Sequence, residues 1–276
     1  MDYVTVQGVD VPALGLGTWR LTGEDCREAV TTALEMGYRH VDTAQAYGNE
    51  AEVGHGIGAA DVAREDIFLT TKLDARNRSY QRVVESTRES LRKLKTDYVD
   101  LLLIHQPNYL SSADHAETLS AMADLVEEGL VRHVGVSNFD VDKLDAARQA
   151  SPEPILTDQV QYHPFWDQTP LLDYCRIHDV MVTAYSPLGH GGVIDDPLLE
   201  RIGDRYDKSA AQVALRWLLQ QEGVATIPKA TSREHLEANL AVFDFELTDD
   251  EMRAIRRPSK AKTAASFLRS RLGLTG

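Results

Sequence analysis

The residues best suited to chemistry in this sequence come at the ends of short apolar runs. Asp42, Lys72 and His105 each follow a run of strand-forming residues, and Tyr47 comes five residues after Asp42, just before a helix is predicted to begin. A carboxylate, an ammonium, a phenol and an imidazole can together move a proton without a metal ion. These four residues are therefore the candidate catalytic residues.

The chemistry expected of this set is the protonation of an oxygen on which negative charge develops. A tyrosine hydroxyl, with an ordinary pKa of about 10, is a weak acid, but a neighbouring ammonium such as that of Lys72 lowers that pKa. Asp42 can hold the ammonium in place, and His105 can hydrogen-bond the substrate oxygen. Reduction of a carbonyl to an alcohol fits this arrangement. Because none of the four residues is an electron source, a hydride donor has to bind beside them.

Strand and helix signals alternate along nearly the whole chain, and they predict a closed (β/α)8 TIM barrel preceded by a β-hairpin over residues 3–11. The predicted barrel strands cover residues 14–18, 38–41, 67–71, 99–104, 131–136, 155–161, 180–185 and 224–227. The predicted helices cover residues 23–36, a stretch that begins near 49, and 79–94, 114–128, 140–149, 168–178, 208–221 and 233–242.

In such a barrel the chemistry is built at the C-terminal ends of the strands, where the loops converge. Asp42, Lys72 and His105 fall at these ends. Taken singly, each residue has an ordinary structural explanation, since an aspartate can cap a turn and a lysine is usually solvated. Three strands that deliver complementary groups to one face of the barrel favour a functional interpretation.

The length of 276 residues predicts one domain over residues 1–276, and the expected partner is a small-molecule carbonyl substrate. A formal charge of -14, from 43 acidic and 29 basic residues, disfavours nucleic acid or an anionic membrane as a partner. The first six residues lack the basic flank and apolar centre of a signal peptide, and no apolar run is long enough to span a bilayer. We therefore expect a cytoplasmic protein, and we separately expect a monomer.

The few lysines, cysteines and histidines indicate the surface character, the redox state and the absence of a metal site. Only eight lysines accompany the acidic surface, which suits either a salt-rich cytoplasm with dense counterions or an ordinary acidic enzyme. Cys26 and Cys175 are far apart and are predicted to be reduced and structural. No metal site is predicted, because no His-x-His pair ends a strand and these histidines are scattered singly: His40, His105, His163 and His190.

Several longer motifs resemble the aldo-keto reductase superfamily, in family order over nearly the whole chain. The motif that contains the candidate acid is Asp42-Thr43-Ala44-Gln45-Ala46-Tyr47-Gly48-Asn49-Glu50. The others are Gly15-Leu16-Gly17-Thr18-Trp19, the strand end at Lys72, Leu102-Leu103-Ile104-His105, Gly135-Val136-Ser137-Asn138-Phe139, Gln159-Val160-Gln161-Tyr162-His163-Pro164, Tyr185-Ser186-Pro187-Leu188-Gly189 and Ile227-Pro228-Lys229. With its short loops the chain is most similar to the prokaryotic 2,5-diketo-D-gluconate reductase-like branch.

The resemblance implies hydride transfer from NADPH, with Tyr47 as general acid, Asp42 and Lys72 as its tuning pair and His105 as the residue that orients the carbonyl. It also implies Ser137, Asn138 and Gln159 on the nicotinamide carboxamide, Tyr185 stacked on the nicotinamide ring, and Ser186 and Leu188 along the pyrophosphate. Trp19 and Trp166 would wall the substrate pocket. The remaining implied cofactor-binding residues are Gly17, Thr18, Asp42, Pro228, Lys229, Ser232, His235 and Asn239.

The sequence departs from the family pattern at the adenosine end of the expected cofactor. Lys229 stands where the family grips the 2′-phosphate, but Ala230 replaces the usual serine, His235 replaces a common arginine and Ala238 replaces a glutamate. A guanidinium holds phosphate with two hydrogen bonds and is always charged, whereas histidine titrates near neutrality. We therefore expect a weakened preference for NADPH, with NADH also used.

The C-terminal tail departs as well, since it holds seven bases and no acids after Met252. The family often closes its substrate pocket with this part of the chain, and that specificity is not carried over. A basic tail folded onto the acidic body is the expectation, with a membrane or partner contact as the alternative.

Two other functions fit parts of the sequence. A Schiff-base aldolase would use Lys72 as a nucleophile, but it leaves Gln159, Tyr185 and Lys229 without a role. A redox-sensing regulatory subunit would bind the cofactor without turnover, as some members of the family serve ion channels. The complete set of four catalytic residues favours the reductase.

Overall fold

The computed structural model describes residues 2–107, 115–259, 261–262 and 264. The chain begins with the predicted hairpin, whose two antiparallel strands are β1 (Tyr3–Val6) and β2 (Val9–Pro12). Gln7 and Gly8 join them with φ angles of 51° and 77°, the left-handed conformation that a two-residue hairpin turn requires. Val6 and Val11 are buried against apolar side chains at one end of the barrel, which the hairpin covers.

Eight parallel strands of the described chain form the barrel, and their order in the sheet follows the sequence. This arrangement confirms the predicted fold class. The strands are β3 (Leu16–Gly17), β4 (His40–Asp42), β5 (Phe68–Leu73), β6 (Val99–Ile104), β7 (Val131–Ser137), β8 (Ile155–Gln161), β9 (Met181–Tyr185) and β10 (Val224–Thr226).

The sheet closes between its first and last strands. Leu14 forms a parallel bridge with Thr226, and the Gly15 amide donates to the Thr226 carbonyl over 2.8 Å. One step further along, the Gly17 amide donates to the Pro228 carbonyl over 3.1 Å. A side chain at Gly17 would block this contact, because a Cβ there would lie 2.5 Å from the carbonyl oxygen of Ile227.

Helices pack around the outside of the barrel, and each predicted helix is present. In α3, for example, Val83, Thr87, Leu91 and Leu94 are buried at helical spacing, as the apolar pattern predicts. The helices are α1 (Gly23–Glu35), α2 (Glu50–Ala59), α3 (Tyr80–Leu94), α4 (His115–Glu127), α5 (Val141–Ala150), α6 (Thr169–Ile177), α7 (Pro197–Gly203), α8 (Ala210–Leu219), α9 (Arg233–Leu240) and α10 (Asp249–Ile255). Among the described residues no helix is both long and apolar enough to cross a bilayer.

The sequence pattern does not predict α7 and α10, each of which has seven residues. Two turns are too few to establish an apolar period, so their signals lie in their caps. Asp196 caps α7, which has proline at its first position, and Thr248 and Glu251 form a capping box at α10. These cap signals could have identified both helices.

The basic tail lies against the body of the protein where the structure describes it. Arg257 and Lys262 donate to the buried carboxylate of Asp196 over 2.6 and 3.0 Å. This contact agrees with the expectation that the tail folds onto an acidic partner on the same chain. The end of the tail, residues 265–276, lies outside the described residues.

The barrel interior changes from apolar to polar along its axis. Near the hairpin it is filled by side chains such as Leu101, Met181 and Ala225. At the opposite end, Asp42 of β4 and Gln159 of β8 meet across the interior, with the Gln159 amide nitrogen 2.7 Å from a carboxylate oxygen. The polar end is where the strands terminate, and it carries the candidate site.

Candidate active site

The four predicted catalytic residues come together at this end of the barrel. The Lys72 ammonium, at the end of β5, lies 2.5 Å from Asp42 Oδ1, 2.9 Å from the carbonyl of Thr43 and 3.3 Å from the Tyr47 hydroxyl. Lys72 and Asp42 are 0% and 1% exposed. The ring of Tyr47 meets the ring of His105 edge to face, with 5.7 Å between centroids.

The backbone after β4 explains how Tyr47 reaches this position. Residues Gln45–Tyr47 form one turn of 3-10 helix, and Gly48 ends it with a φ of 70°, so that α2 can begin immediately afterwards. The turn carries Tyr47 back over the end of β5, towards Lys72. The five-residue spacing between Asp42 and Tyr47 is therefore made up of Thr43, Ala44 and the three residues of this turn.

The electrostatics of the pair fix the protonation state of the lysine. Burial lowers the pKa of Lys72, but the Asp42 carboxylate and the Tyr47 hydroxyl raise it, and the resulting pKa lies above its ordinary value. Lys72 is therefore a buried ammonium held between a carboxylate and a phenol.

The pKa of Tyr47 differs from the sequence-based expectation. Burial raises the pKa of Tyr47 and Lys72 lowers it, and burial has the larger effect, so the pKa of Tyr47 lies above its ordinary value. Lys72 acts in the predicted direction but does not determine the outcome. The phenol is consequently fully protonated at neutral pH, which is the state that a proton donor needs.

His105 is a neutral imidazole in this environment. Burial, followed by the nearby Lys72 ammonium, lowers the pKa of His105 to about 4. At neutral pH the ring therefore carries one N–H and can donate one hydrogen bond without adding positive charge to the site.

These residues open into a cavity of about 410 Å³. Eleven of the predicted site residues line it: Gly17, Trp19, Asp42, Tyr47, His105, Ser137, Asn138, Gln159, Tyr185, Ser186 and Lys229. Six further lining residues were missed by the sequence analysis: Ala46, Gln106, Gln161, Pro187, His190 and Ile227. Alternation along a strand could have identified Gln161, because it is two residues after Gln159 and so faces the same side.

A hydrogen-bonded group of polar residues forms one wall of the cavity. Asn138, held at a φ of 65°, donates through its amide to the carbonyl of His105 and to the hydroxyl of Ser137, both over 2.9 Å. The Tyr185 hydroxyl donates to the Asn138 amide oxygen over 2.7 Å. These bonds fix the flat ring of Tyr185 and the amide of Asn138, and the Gln159 amide, which donates to Asp42, lines the same cavity.

This wall fits the nicotinamide end of NAD(P)H. An aromatic face suits stacking of a flat ring, and side-chain amides suit a carboxamide, which both donates and accepts hydrogen bonds. Lys229 lies at the exposed rim of the cavity, where an ammonium can meet a phosphate. The donor set of the cavity is therefore compatible with the cofactor.

The other predicted cofactor-binding residues lie outside the cavity lining. Thr18 donates to the Asp42 carbonyl over 2.9 Å, Pro228 accepts from Gly17 in the barrel closure, and Leu188 packs on the core. At the start of α9, the Ser232 hydroxyl accepts from the amide of His235 over 3.2 Å. His235 is exposed and Asn239 is 8% exposed.

Trp166, a predicted wall of the substrate pocket, lines a neighbouring cavity of about 680 Å³ instead. Asn138, Gln161 and Tyr185 line both cavities and so separate them. Sequence position could not show this, because it depends on how the segment after β8 packs, in which Tyr162 and Phe165 are buried.

Comparison with known proteins agrees with this geometry. The profile of the aldo/keto reductase family matches residues 13–259. The chain is 38% identical to methylglyoxal reductase DkgB of Escherichia coli O157:H7 over 246 residues, which cover 89% of this chain and 92% of that protein.

Solved structures are similar throughout. A crystal structure assigned as a 2,5-diketo-D-gluconic acid reductase B superposes with a TM-score of 0.90 at 46% identity, covering 93% of this chain and 90% of that one. A Bombyx mori aldo-keto reductase in complex with NADP superposes with a TM-score of 0.87 at 36% identity, covering 92% and 91%. The chain belongs to the aldo/keto reductase family and is an NAD(P)H-dependent oxidoreductase that reduces carbonyl compounds.

Proposed function

We propose that this protein reduces small aldehydes, ketones and keto-sugars to alcohols, with Tyr47 as the general acid. The observation that carries the proposal is the buried Lys72 ammonium, 2.5 Å from Asp42 and 3.3 Å from the Tyr47 hydroxyl. The barrel fold itself does not need a buried ion pair in contact with a phenol, and burying the charges of Lys72 and Asp42 costs desolvation free energy. The arrangement is useful if the phenol gives up its proton.

When bound, NAD(P)H would supply the hydride that the carbonyl carbon receives. As negative charge develops on the carbonyl oxygen, the Tyr47 hydroxyl donates its proton to that oxygen. The Lys72 ammonium stabilises the phenolate that remains, and Asp42 keeps the ammonium in place. In the reverse direction, oxidation of an alcohol, the same phenolate would accept the proton.

His105 positions the carbonyl in this proposal. Its pKa of about 4 keeps the ring neutral, so it donates one hydrogen bond to the carbonyl oxygen and does not compete with Tyr47 as an acid. Trp19, which is 41% exposed, lines the mouth of the cavity and limits the size of the substrate.

For the cofactor we infer NADPH, with NADH also accepted. Ser137, Asn138, Gln159 and Tyr185 would hold the nicotinamide, and Ser186 and Lys229 would meet the phosphates. Toward a 2′-phosphate the chain offers the side chains of Lys229 and His235, both exposed. Discrimination between the two cofactors is then modest.

The environment of Lys72 argues against the Schiff-base aldolase. A nucleophilic lysine has to lose its proton, whereas Lys72 donates to three acceptors and its pKa is raised. The redox-sensing subunit differs from the enzyme only in turnover, so the experiment that tests the enzyme also tests this alternative. The single domain, the monomeric state and the cytoplasmic location stay predictions.

The test is the Tyr47→Phe variant, assayed for turnover and for cofactor binding. We expect kcat for an aldehyde such as 2-oxopropanal to fall by about 10²–10⁴-fold, because the acid is lost. NADPH binding, followed by the change in cofactor fluorescence, should stay within about threefold of the wild type. Tyr3→Phe, on the exposed hairpin strand, is the matched control and should keep full activity.

Two results would contradict the proposal. If Tyr47→Phe loses cofactor binding together with activity, the residue has a binding role and not the assigned one. If the wild type binds NADPH but turns over no carbonyl, the regulatory alternative gains support.

A further inference from the structure

Gln161 lines the active-site cavity but has no part in the proton-transfer site or in the polar wall around Asn138. It is the last residue of β8, and its carbonyl accepts from the side chain of Gln168 over 3.0 Å, which holds the strand end in place. Its side chain is half-buried, and its amide nitrogen lies 3.1 Å from His163 Nε2. The orientation of this amide decides what the cavity offers to a substrate.

The protonation state of His163 determines that orientation. The ring is 0% exposed, and its Nδ1 accepts a hydrogen bond from the backbone amide of Phe165 over 3.3 Å. Burial lowers the pKa of His163 to about 4, so the ring holds a single proton at neutral pH. Because Nδ1 is the acceptor, that proton is on Nε2.

A protonated Nε2 requires an acceptor at Gln161. With the amide nitrogen toward His163, two hydrogen-bond donors would face each other at 3.1 Å. The oxygen and nitrogen of an amide are nearly identical in shape, and the hydrogen-bond network has to decide between them. Rotating the amide by 180° places Oε1 against the Nε2–H of His163. The NH2 group then faces away from His163 and is left to meet another acceptor, and Gln161 lines both the active-site cavity and the neighbouring one.

We propose that Gln161 is a specificity-determining residue whose amide NH2 binds a second oxygen of the substrate, on the carbon next to the reacting carbonyl. The cavity of about 410 Å³ must hold the nicotinamide as well as the substrate, so the substrate is small and its second oxygen is close to the first. The preferred substrates are then 2-oxo and 2-hydroxy aldehydes and ketones. This inference rests on the proposed carbonyl reduction.

Two side-chain amides of the lining, those of Gln106 and Gln161, are not assigned to the nicotinamide, and of these the chain fixes the donor and acceptor atoms of Gln161. Gln106 is exposed, so water competes for its amide. The hydrogen bonds form a series: the Phe165 N–H donates to His163, the His163 N–H donates to Gln161, and the Gln161 NH2 is left for the substrate. The His163 ring in the middle of the series is fully buried. A donor held in this way rejects a substrate that has no acceptor, because the amide has then lost water without gaining a partner.

The first test compares kcat/KM for 2-oxopropanal with kcat/KM for propanal, which differs by the second oxygen. In Gln161→Leu the ratio of the two values should fall about tenfold, the effect of one lost hydrogen bond. In Gln161→Glu a carboxylate can still accept from His163 but presents no donor to the cavity, so the ratio should fall at least as far. Gln149→Leu, on the exposed face of α5, is the matched control and should keep the wild-type ratio.

The second test reads the tautomer of His163 directly, without turnover. In protein labelled with ¹⁵N at histidine, two-bond correlation spectra should show His163 as the Nε2–H tautomer at pH 7. Its signal is identified by its absence in His163→Asn and, independently of how well that variant folds, by its shift in Gln161→Leu.

The outcomes separate the two proposals. An Nδ1–H tautomer, or an unchanged substrate ratio in both Gln161 variants, overturns the role of Gln161 while leaving carbonyl reduction intact. If the wild type reduces neither aldehyde, the proposed reduction of small aldehydes fails, and the role of Gln161 fails with it whatever the tautomer.

Discussion

Asp42 and Gln159 lie on opposite sides of the barrel, on β4 and β8, and the Gln159 amide donates to the Asp42 carboxylate over 2.7 Å. The other carboxylate oxygen of Asp42 holds Lys72 at 2.5 Å. The buried Asp42 carboxylate thus bonds both to Lys72, which lowers the pKa of Tyr47, and to the Gln159 amide, which is proposed to contact the nicotinamide. In the proposed mechanism this single hydrogen-bonded unit would position both the proton donor and the hydride donor.

Removing the ammonium should separate its catalytic role from its structural one. Lys72→Met should lower kcat by about 10²–10³-fold, because the Tyr47 phenolate loses its stabilising charge. It should also lower the free energy of unfolding by about 3–5 kcal/mol, since Asp42 is left as an unpaired buried carboxylate. Urea unfolding and steady-state kinetics measure the two effects.

The double variant Asp42→Asn/Lys72→Met is the control, because it removes both charges. It should recover much of the lost stability and none of the lost activity. If activity returned along with stability, Lys72 would have only a structural role.

Cofactor discrimination should depend on position 235. His235→Arg should tighten NADPH binding about tenfold, since a guanidinium is always charged and can hold a phosphate with two hydrogen bonds. NADH, which lacks the 2′-phosphate, should bind about as tightly as before. Parallel fluorescence titrations at low and high salt measure both affinities.

His55→Arg, on the exposed side of α2, is the matched control for charge. Equal gains for both variants, or a gain for NADH as well, would mean that position 235 does not face the 2′-phosphate.

Asp158 should make the protein less stable at neutral than at mildly acidic pH. The residue is 0% exposed, its Oδ1 reaches only the Phe139 amide at 3.5 Å, and its Oδ2 has no hydrogen-bond partner among the described residues. Burial raises the pKa of Asp158 well above its ordinary range. The folded state therefore binds a proton that the unfolded state has released, and its stability falls as the pH rises from about 4 through the raised pKa.

Asp158→Asn removes this dependence and should stabilise the protein by about 1–2 kcal/mol at pH 8, with a smaller gain at pH 5. Urea unfolding at the two pH values measures the difference. Asp173→Asn, exposed on α6, is the control and should change little. A gain that is larger at pH 5 than at pH 8 would reverse the sign and refute the argument.

Barrel closure should be sensitive to one methyl group. Gly17→Ala places a Cβ 2.5 Å from the Ile227 carbonyl oxygen, so the first and last strands have to separate, at a cost of about 1–3 kcal/mol. Gly58→Ala, in α2, meets no atom within 4 Å and should stabilise the protein by about 0.5–1 kcal/mol. Thermal unfolding of the pair gives the comparison, and equal shifts in melting temperature would contradict the prediction.

The alternation of strands and helices, and the strand ends at which Asp42, Lys72 and His105 lie, could be predicted from the sequence alone. Both are local properties: side-chain periodicity along a segment, and the polar residue that follows an apolar strand. The short helices α7 and α10 were not predicted, because two turns are too few to show an apolar period.

The tertiary structure is needed to show which residues line which cavity and in which direction burial and neighbouring charges shift each pKa. Trp166 and Gln161 lie five residues apart, yet only Gln161 reaches the active-site cavity, since the path of the loop after β8 depends on what it packs against. The pKa of Tyr47 lies above its ordinary value. Burial by the assembled barrel raises this pKa by more than the neighbouring Lys72 ammonium lowers it. Burial, and the direction in which a loop residue points, arise from contacts between segments far apart in the chain, which no local pattern encodes.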